Sequence, residues 1–365
     1  MKRRTFLAGS AAAGLLRLLG PLPAHADDVS PDVQKAINKG LEYLNKTQYK
    51  DGHFEGNGGM YPVALSALAG MAFLMEGSTL REGKYSDNVR RIVDYLMERT
   101  QKSGLIGNPN NFQENQRYTY GHGFGLLFLA CVYGEEEEND RRKKLEDVLT
   151  RAVDFCGKAQ TSRGGWGYVS AADSGDFDEG SVTITQLQAL RAARNVGIVV
   201  PKDTINKARK YLEDSTTSSG GVLYRPGQPG ERPALTAAAV ACGFSVGEYD
   251  SAIVKKWLKS AHQSIGTLGG GSGRFGHDEY AHFYFSQAAY TLGDEGWAKL
   301  FPGARDGLTW TRYKEANFKN MVAAQNEDGT WTGNSPWARF GAVYTTAIYL
   351  CILQLDKGVL PIYQR

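Results

Sequence analysis

Four acidic residues, Asp173, Asp176, Asp178 and Glu179, crowd just ahead of Ser181-Val182-Thr183. Carboxylates grouped in this way can work as a general acid whose proton affinity is set by its neighbours. They can equally cap the helix that opens at Ser181, accepting bonds from its free N–H groups and complementing its positive end. A second group is Tyr118, Tyr120 and His122; a third is Asp278, Glu279, Tyr280, His282 and Tyr284. Asp278 and His282 are four residues apart, so on a helix they share a face. They suit an acid–base pair, a metal-ligand pair or a hydrogen bond at a helix start. Cys131, Cys156, Cys242 and Cys351 stand far apart in apolar stretches and read as small buried hydrophobes. No Cys/His spacing suggests zinc, and no metal or cofactor is expected. A Gly-x-Ser-x-Gly elbow, a phosphate-binding Gly-Lys-Ser/Thr loop and a dinucleotide fingerprint are all missing from the sequence.

The elements that must position these groups alternate in character. Val33, Ile37, Leu41 and Leu44 recur at three and four residues with charged and polar residues between them, which predicts an amphipathic helix over Val33 to Thr47. The pattern returns at Val89-Ile92-Val93-Leu96, Leu145-Leu149-Ala152-Val153, Ile205-Ala208-Leu212, Ile253-Val254-Trp257-Leu258 and Phe318-Met321-Val322. Each of these helices runs into a Gly-bearing turn: Asp51-Gly52-His53-Phe54, Ser103-Gly104-Leu105, Gly164-Gly165-Trp166, Gly220-Gly221-Val222, Gly273-Arg274-Phe275 and Asp328-Gly329-Thr330-Trp331. The glycines lie roughly 52 to 61 residues apart, long for a single-helix repeat. After each turn comes a helix apolar on nearly every side and rich in small residues: Ala64 to Met75, Gly123 to Tyr133, Ile184 to Val196, Leu235 to Val246, Ala281 to Leu292 and Ala342 to Leu355. Such helices belong inside a ring of others. The expected fold is therefore all-α, an (α/α)6 toroid whose inner helices surround a central funnel and whose inner-helix starts form its mouth.

The N-terminal segment reads differently. Arg3-Arg4-Thr5-Phe6-Leu7, a modest apolar run and Ala24-His25-Ala26 have the order of a twin-arginine signal peptide over residues 1–26. The single folded domain is then 27–365, and the expected location is the periplasm or outside the cell. No other apolar run is long enough to span a bilayer. The net charge is +3, with acids and bases interspersed, so nucleic acid is not an expected partner.

Three turns share Gln-x-x-x-Gly-x-aromatic, at Gln48 to Phe54, Gln160 to Trp166 and Gln325 to Trp331. This resembles the QW repeat of the squalene cyclases and the related prenyltransferase β-subunits, a likeness that extends over the whole folded domain. The resemblance implies that the Gln amide reaches a neighbouring helix and that the aromatic ring ties adjacent units together. It also makes Asp176-Phe177-Asp178-Glu179 similar to the Asp-x-Asp-Asp motif of class II terpene cyclases, with Asp178 in the place of the proton donor and Asp176 and Glu179 beside it. Here the fourth acid is Glu179, a departure from that motif. The zinc site of the prenyltransferases has no counterpart, since no Cys lies beside Asp278 and Cys242 is within an inner helix.

Aromatic residues are expected at the mouth and inner wall: Tyr61, Tyr120, Phe124, Tyr280, Phe283, Tyr284, Phe285, Trp337, Phe340 and Tyr344. They suit a hydrophobic, elongated ligand of isoprenoid type, with Tyr120, His122, Asp278, His282, Tyr284, Trp337 and Tyr344 as candidate binding residues. Two other readings stay open. One is a non-catalytic binding or scaffold protein that meets a partner through loops such as Leu105 to Arg117. The other is a carbohydrate-active toroid, which requires two facing carboxylates, for which Asp178 and Glu279 are the candidates.

Overall fold

A computed structural model describes residues 29–245, 248–266 and 278–363. The signal-like segment, the Gly273-Arg274-Phe275 turn and the Gly269 to Gly273 stretch therefore lie outside the described residues. The helices are α1 (Pro31–Thr47), α2 (Pro62–Glu76), α3 (Ser86–Glu98), α4 (Tyr118–Tyr133), α5 (Asn139–Ala159), α6 (Ala171–Ser174), α7 (Gly180–Asn195), α8 (Lys202–Asp214), α9 (Pro233–Ser245), α10 (Ala252–Gly266), α11 (Asp278–Leu292), α12 (Gly296–Leu300), α13 (Trp310–Ala323) and α14 (Ala342–Leu353).

Six of these form the inner ring. α2 packs on α4, α4 on α7, α7 on α9, α9 on α11, α11 on α14, and α14 back on α2. The outer helices α1, α3, α5, α8, α10 and α13 lie against that ring. This is the (α/α)6 toroid that the alternation of amphipathic and apolar helices implies. α1 buries Val33, Ile37, Leu41 and Leu44 as the three-and-four spacing requires, whereas α14 is buried along nearly all its length. Inner helices approach closely where one side is bare: a Cβ on Gly70 of α2 would sit 2.5 Å from the Phe128 ring of α4. Several inner helices start earlier than the apolar pattern suggests. α4 opens at Tyr118 and α7 at Gly180, so Tyr118 and Tyr120 lie in the first turn of α4, whereas the acids at 173–179 precede α7, with Glu179 as its N-cap.

The turns between outer and inner helices are built alike. Gly52, Gly104, Gly164, Gly220 and Gly329 have φ between 90° and 95°, in the left-handed region that suits glycine. Each rests on a backbone carbonyl of the next outer helix. An added Cβ would lie 2.2 Å from the carbonyl oxygen of Arg91, 2.0 Å from that of Arg151, 2.3 Å from Lys207, 2.6 Å from Lys256 and 2.5 Å from Lys39 respectively. In the three Gln-containing turns, the amide adds a second grip one helical turn earlier. Gln48 Nε2 donates to Asn88 O at 3.1 Å, Gln160 Nε2 to Thr204 O at 2.9 Å, and Gln325 Nε2 to Ala36 O at 2.9 Å. The last of these joins the sixth turn to the first helix and closes the ring. Where Gln is missing, other groups take over: Trp257 Nε1 donates to Thr216 Oγ1 at 2.8 Å, and Arg151 Nη1 to Gln101 O at 2.7 Å.

The aromatic residue two positions after the glycine works in two directions. The indole N–H groups of Trp166 and Trp331 donate back to their own outer helices, at Cys156 O and Met321 O. The Trp331 ring also lies against Gly40 of α1, where an added Cβ would come 2.8 Å from it. The backbone N–H at this position is bound by a side chain on the following inner helix. Phe54 N donates to Ser66 Oγ, Trp166 N to Thr183 Oγ1, Val222 N to Thr236 Oγ1, Trp331 N to Thr346 Oγ1, and Ile106 N to His122 Nδ1.

The chain end covers the back of the ring. Leu360, Ile362 and Tyr363 are buried, and Val359, Leu360 and Ile362 share a depression with residues near the C-terminal ends of α2, α4 and α7, among them Leu74, Ala130 and Ala192. Among the described residues no helix is long and apolar enough to cross a membrane.

Replacing Gln325 by Ala removes two carbonyl contacts at the ring closure, those with Ala36 O and Gly329 O. At about 1 kcal/mol for each net hydrogen bond, the unfolding free energy should fall by about 2 kcal/mol. Urea denaturation with an unchanged slope measures this, and a midpoint equal to that of the wild type would deny the staple any stabilising role.

Candidate functional site

The funnel expected from the helix pattern is a central cavity that opens to solvent at its mouth. Tyr61 and Arg117 precede α2 and α4, and Trp337 and Phe340 stand on the loop ahead of α14, so these residues frame the mouth. Tyr120, Phe124, Tyr280, Phe283, Tyr344 and Ile348 continue the wall inward along α4, α11 and α14. The surface that faces the empty space is apolar throughout. A T-shaped Tyr61–Phe340 pair and a stacked Trp337–Phe340 pair hold the rings of the rim.

Eight of the ten aromatics expected at the mouth and wall are there; Tyr284 and Phe285 are not on the lining. Tyr284 is fully buried, edge-on to Tyr280 with ring centroids 5.1 Å apart. Of the candidate binding residues, Tyr120, Trp337 and Tyr344 line the cavity together. His122 does not. It fills the position that Ser66, Thr183, Thr236 and Thr346 fill in other units, accepting the Ile106 N–H at Nδ1. That bond leaves the ring proton on Nε2, which faces Cys156 Sγ at 3.3 Å. Burial lowers the His122 pKa to about 3, so the ring is neutral. His282 likewise turns outward, its Nδ1 2.9 Å from the Tyr313 hydroxyl of α13, and burial lowers its pKa to about 4. Asp278 is the first residue of α11, and its side chain lies outside the described part of the structure.

The acidic run divides into separate environments. Asp176 is exposed and accepts from the Ser162 N–H at 2.7 Å and from the Ser162 hydroxyl, bonds that hold its pKa below the usual aspartate value. Asp178 is buried but away from the cavity lining. One oxygen accepts from Thr161 Oγ1 at 2.8 Å, the other lies 4.0 Å from Arg225 Nη2, and its neighbour Tyr211 belongs to the outer helix α8. The structure therefore does not bring the expected proton donor to the funnel.

Glu179 is not on the lining either, but it is bonded to a residue that is. As N-cap of α7 it accepts from Ser181 N and Val182 N, both at 2.8 Å. Tyr120, a wall residue, donates its hydroxyl to Glu179 Oε1 at 3.0 Å and lies 2.5 Å from Ser181 Oγ. Burial raises the Glu179 pKa above the ordinary glutamate value, against the opposing effect of these donors. Capping and proximity to the funnel thus fall on the same side chain.

Glu279 is also buried, and its partners explain it. It accepts from Asn334 N and Ser335 N, each at 3.2 Å, and from the Ser335 hydroxyl, while Ser335 Oγ accepts from Trp337 N at 3.1 Å. Glu279 thus anchors the loop that presents Trp337. Asp178 and Glu279 are both absent from the cavity lining, so the pair of facing carboxylates required for glycoside hydrolysis is not assembled from them. Among the described residues no group of three or more His, Cys, Asp or Glu comes together to hold a metal.

Arg117 escapes the sequence reading. It lies at the end of the Leu105 to Arg117 loop and gives no motif. Its signal is one of position, since it stands immediately before an inner helix, as Tyr61 does in the first unit.

The fold and the cavity together define a class: a closed (α/α)6 toroid with an aromatic, apolar centre. No protein-family model matches the chain, and no curated protein matches it by sequence. Solved structures do match in fold. The type II terpene cyclase MstE from Scytonema has a TM-score of 0.57 at 13% identity, over 90% of this chain and 99% of the cyclase; it is also known with its substrate geranylgeranyl dihydroxybenzoate. The GH76A α-1,6-mannanase of Salegentibacter sp. HEL1_6 has a TM-score of 0.60 at 10% identity, covering 90% and 99%. The glucoamylase of Hormoconis resinae has a TM-score of 0.59 at 8% identity, covering 90% of this chain and 74% of the glucoamylase. These likenesses establish the toroid and leave the chemistry to the site.

The raised pKa of Glu179 has a consequence for stability. A buried acid of this kind is protonated in the folded state over a pH range where the unfolded chain has already lost the proton. Its contribution therefore becomes less favourable as pH rises from the ordinary glutamate value through the folded value. In Glu179→Gln the cap acceptor remains and the titration is gone. The stability difference, wild type minus variant, should fall in urea titrations as pH rises above the ordinary glutamate value. A difference that is flat across this range would mean that Glu179 ionises as it does in water.

Proposed function

We propose that this protein binds an isoprenoid-type ligand, elongated and mainly hydrocarbon, in the central cavity. The observation that carries this reading is the composition of the wall: aromatic and aliphatic surface throughout, with no carboxylate on it. Such a surface gains free energy by burying hydrocarbon and offers few of the convergent polar groups that orient a sugar. Aromatic faces also stabilise positive charge, which suits a polyene undergoing protonation. Among the structural neighbours, the terpene cyclase holds a ligand of this chemistry, and the mannanase holds α-1,6-mannotriose. The absence of Asp178 and Glu279 from the lining weighs against the carbohydrate reading.

The acid assigned to this cavity is Glu179, acting beside Tyr120, in place of Asp178 or Asp176. Asp178 is instead an internal tie to Thr161 of the third turn, with Arg225 at 4.0 Å. We also propose that the chain reaches the periplasm or cell exterior by the twin-arginine route, on the strength of Arg3-Arg4 and Ala24-His25-Ala26.

Titration with geranylgeraniol, followed by tryptophan fluorescence and native mass spectrometry, should show a saturable one-to-one complex, and mannotriose should give none. Trp337→Ala should weaken the complex about tenfold, equivalent to about 1.4 kcal/mol of lost contact. Saturable binding of mannotriose in place of the isoprenoid would reverse the assignment.

A further inference from the structure

Arg117 is placed where hydrocarbon alone does not explain it. Its side chain lines the mouth, and its guanidinium carbon lies 4.4 Å from the centroid of Tyr168 and 6.0 Å from that of Trp337. Among the described residues its guanidinium has no hydrogen bond or ion pair. Nearby acids are committed elsewhere. Glu114 accepts from Asn108 N at 2.6 Å, Asp173 from the Tyr118 hydroxyl, and Glu179 from Tyr120, Ser181 and Val182. Arg225 makes a useful contrast, since it too lies over a ring, that of Phe177, but has Asp178 at 4.0 Å.

The local field makes the placement less ordinary. Arg117 is the N-cap of α4 and provides no capping bond. Its cation therefore stands at the positive end of a helix, where an anion is favoured and a cation is not. The guanidinium lies by two rings and has no hydrogen-bonded acid among the described residues, and its N–H groups form the fork that matches a carboxylate or phosphate. Arg117 joins an aliphatic stem to a cation at the mouth of an apolar cavity, so the two halves of one side chain suit the two halves of an amphiphile.

We infer that the cavity takes an amphipathic ligand whose apolar tail fills the aromatic interior and whose anionic head, a carboxylate or a phosphate monoester, binds Arg117 at the mouth. This rests on the isoprenoid-binding reading above and adds the head group to it. An anion at this point neutralises the guanidinium and complements the positive end of α4 at once.

The test titrates the whole protein with geranylgeraniol, geranylgeranoic acid and geranylgeranyl monophosphate, comparing the wild type with Arg117→Gln and Arg117→Lys. For the wild type, at least one anion should bind about tenfold tighter than the alcohol, and added salt should erode that preference. The tighter of the two anions identifies the head as carboxylate or phosphate. Arg117→Gln should abolish the preference by weakening the anions more than the alcohol, while Arg117→Lys should keep part of it. Equal binding of all three ligands by the wild type would overturn the inference and leave the isoprenoid reading standing. Arg117→Gln weakening all three alike would also overturn it, because the residue would then only pack the rim. Failure of all three to bind would remove both readings.

Discussion

The contact on which this molecule depends is a bare Cα set against a helix carbonyl. At each described outer-to-inner turn, a glycine in the left-handed region rests on the backbone of the next outer helix. Any side chain at that point would enter the carbonyl oxygen, so the spacing between neighbouring outer helices is fixed by the absence of a Cβ. The Gln amide grips the carbonyl one turn earlier in three units, and that pair of contacts sets both distance and rotation. Because the sixth turn meets α1, the same rule that joins neighbours also closes the circle.

The site follows from this closure. Six inner helices held at a fixed radius cannot fill their own axis, and the side chains near their N-termini determine what the remaining space is like. On α4, α11 and α14 those side chains are mostly rings and on α2 they are aliphatic, which leaves an apolar cavity. The polar residues that look most suited to chemistry are largely consumed in building the frame. His122 takes the place that Ser or Thr holds in other units, Asp178 ties the segment before α7 to Thr161 of the third turn, and Glu279 anchors the loop of Trp337. Glu179 and Arg117 differ from them, because each sits at a helix start and one bonds to the wall residue Tyr120 while the other lines the mouth itself.

Much of the fold was legible because it repeats. Three-and-four apolar spacing marked the outer helices, uninterrupted apolarity the inner ones, and Gly with an aromatic residue the turns between them. A local periodic signal of this kind reports burial directly. The aromatic lining was legible for a related reason, since the residues at inner-helix starts are those the ring geometry leaves facing its axis. Tyr284 and Phe285 were misplaced onto the lining, because a small rotation of α11 decides between cavity and packed interface and apolar residues suit both.

The sequence by itself determined the toroid, through the periodic burial of its helices and the glycines that only one backbone conformation explains. It could not distribute the acids of 173–179, because adjacent residues in an extended segment point to opposite sides and share the same composition. Only the tertiary structure decided that Asp178 meets Thr161 and Arg225 while Glu179 meets Tyr120. The partners in question come from Thr161, Arg225 and Tyr120, groups carried by three different parts of the chain. Which of two neighbouring carboxyls bonds to a wall residue is a property of those distant groups, and folding alone brings them together.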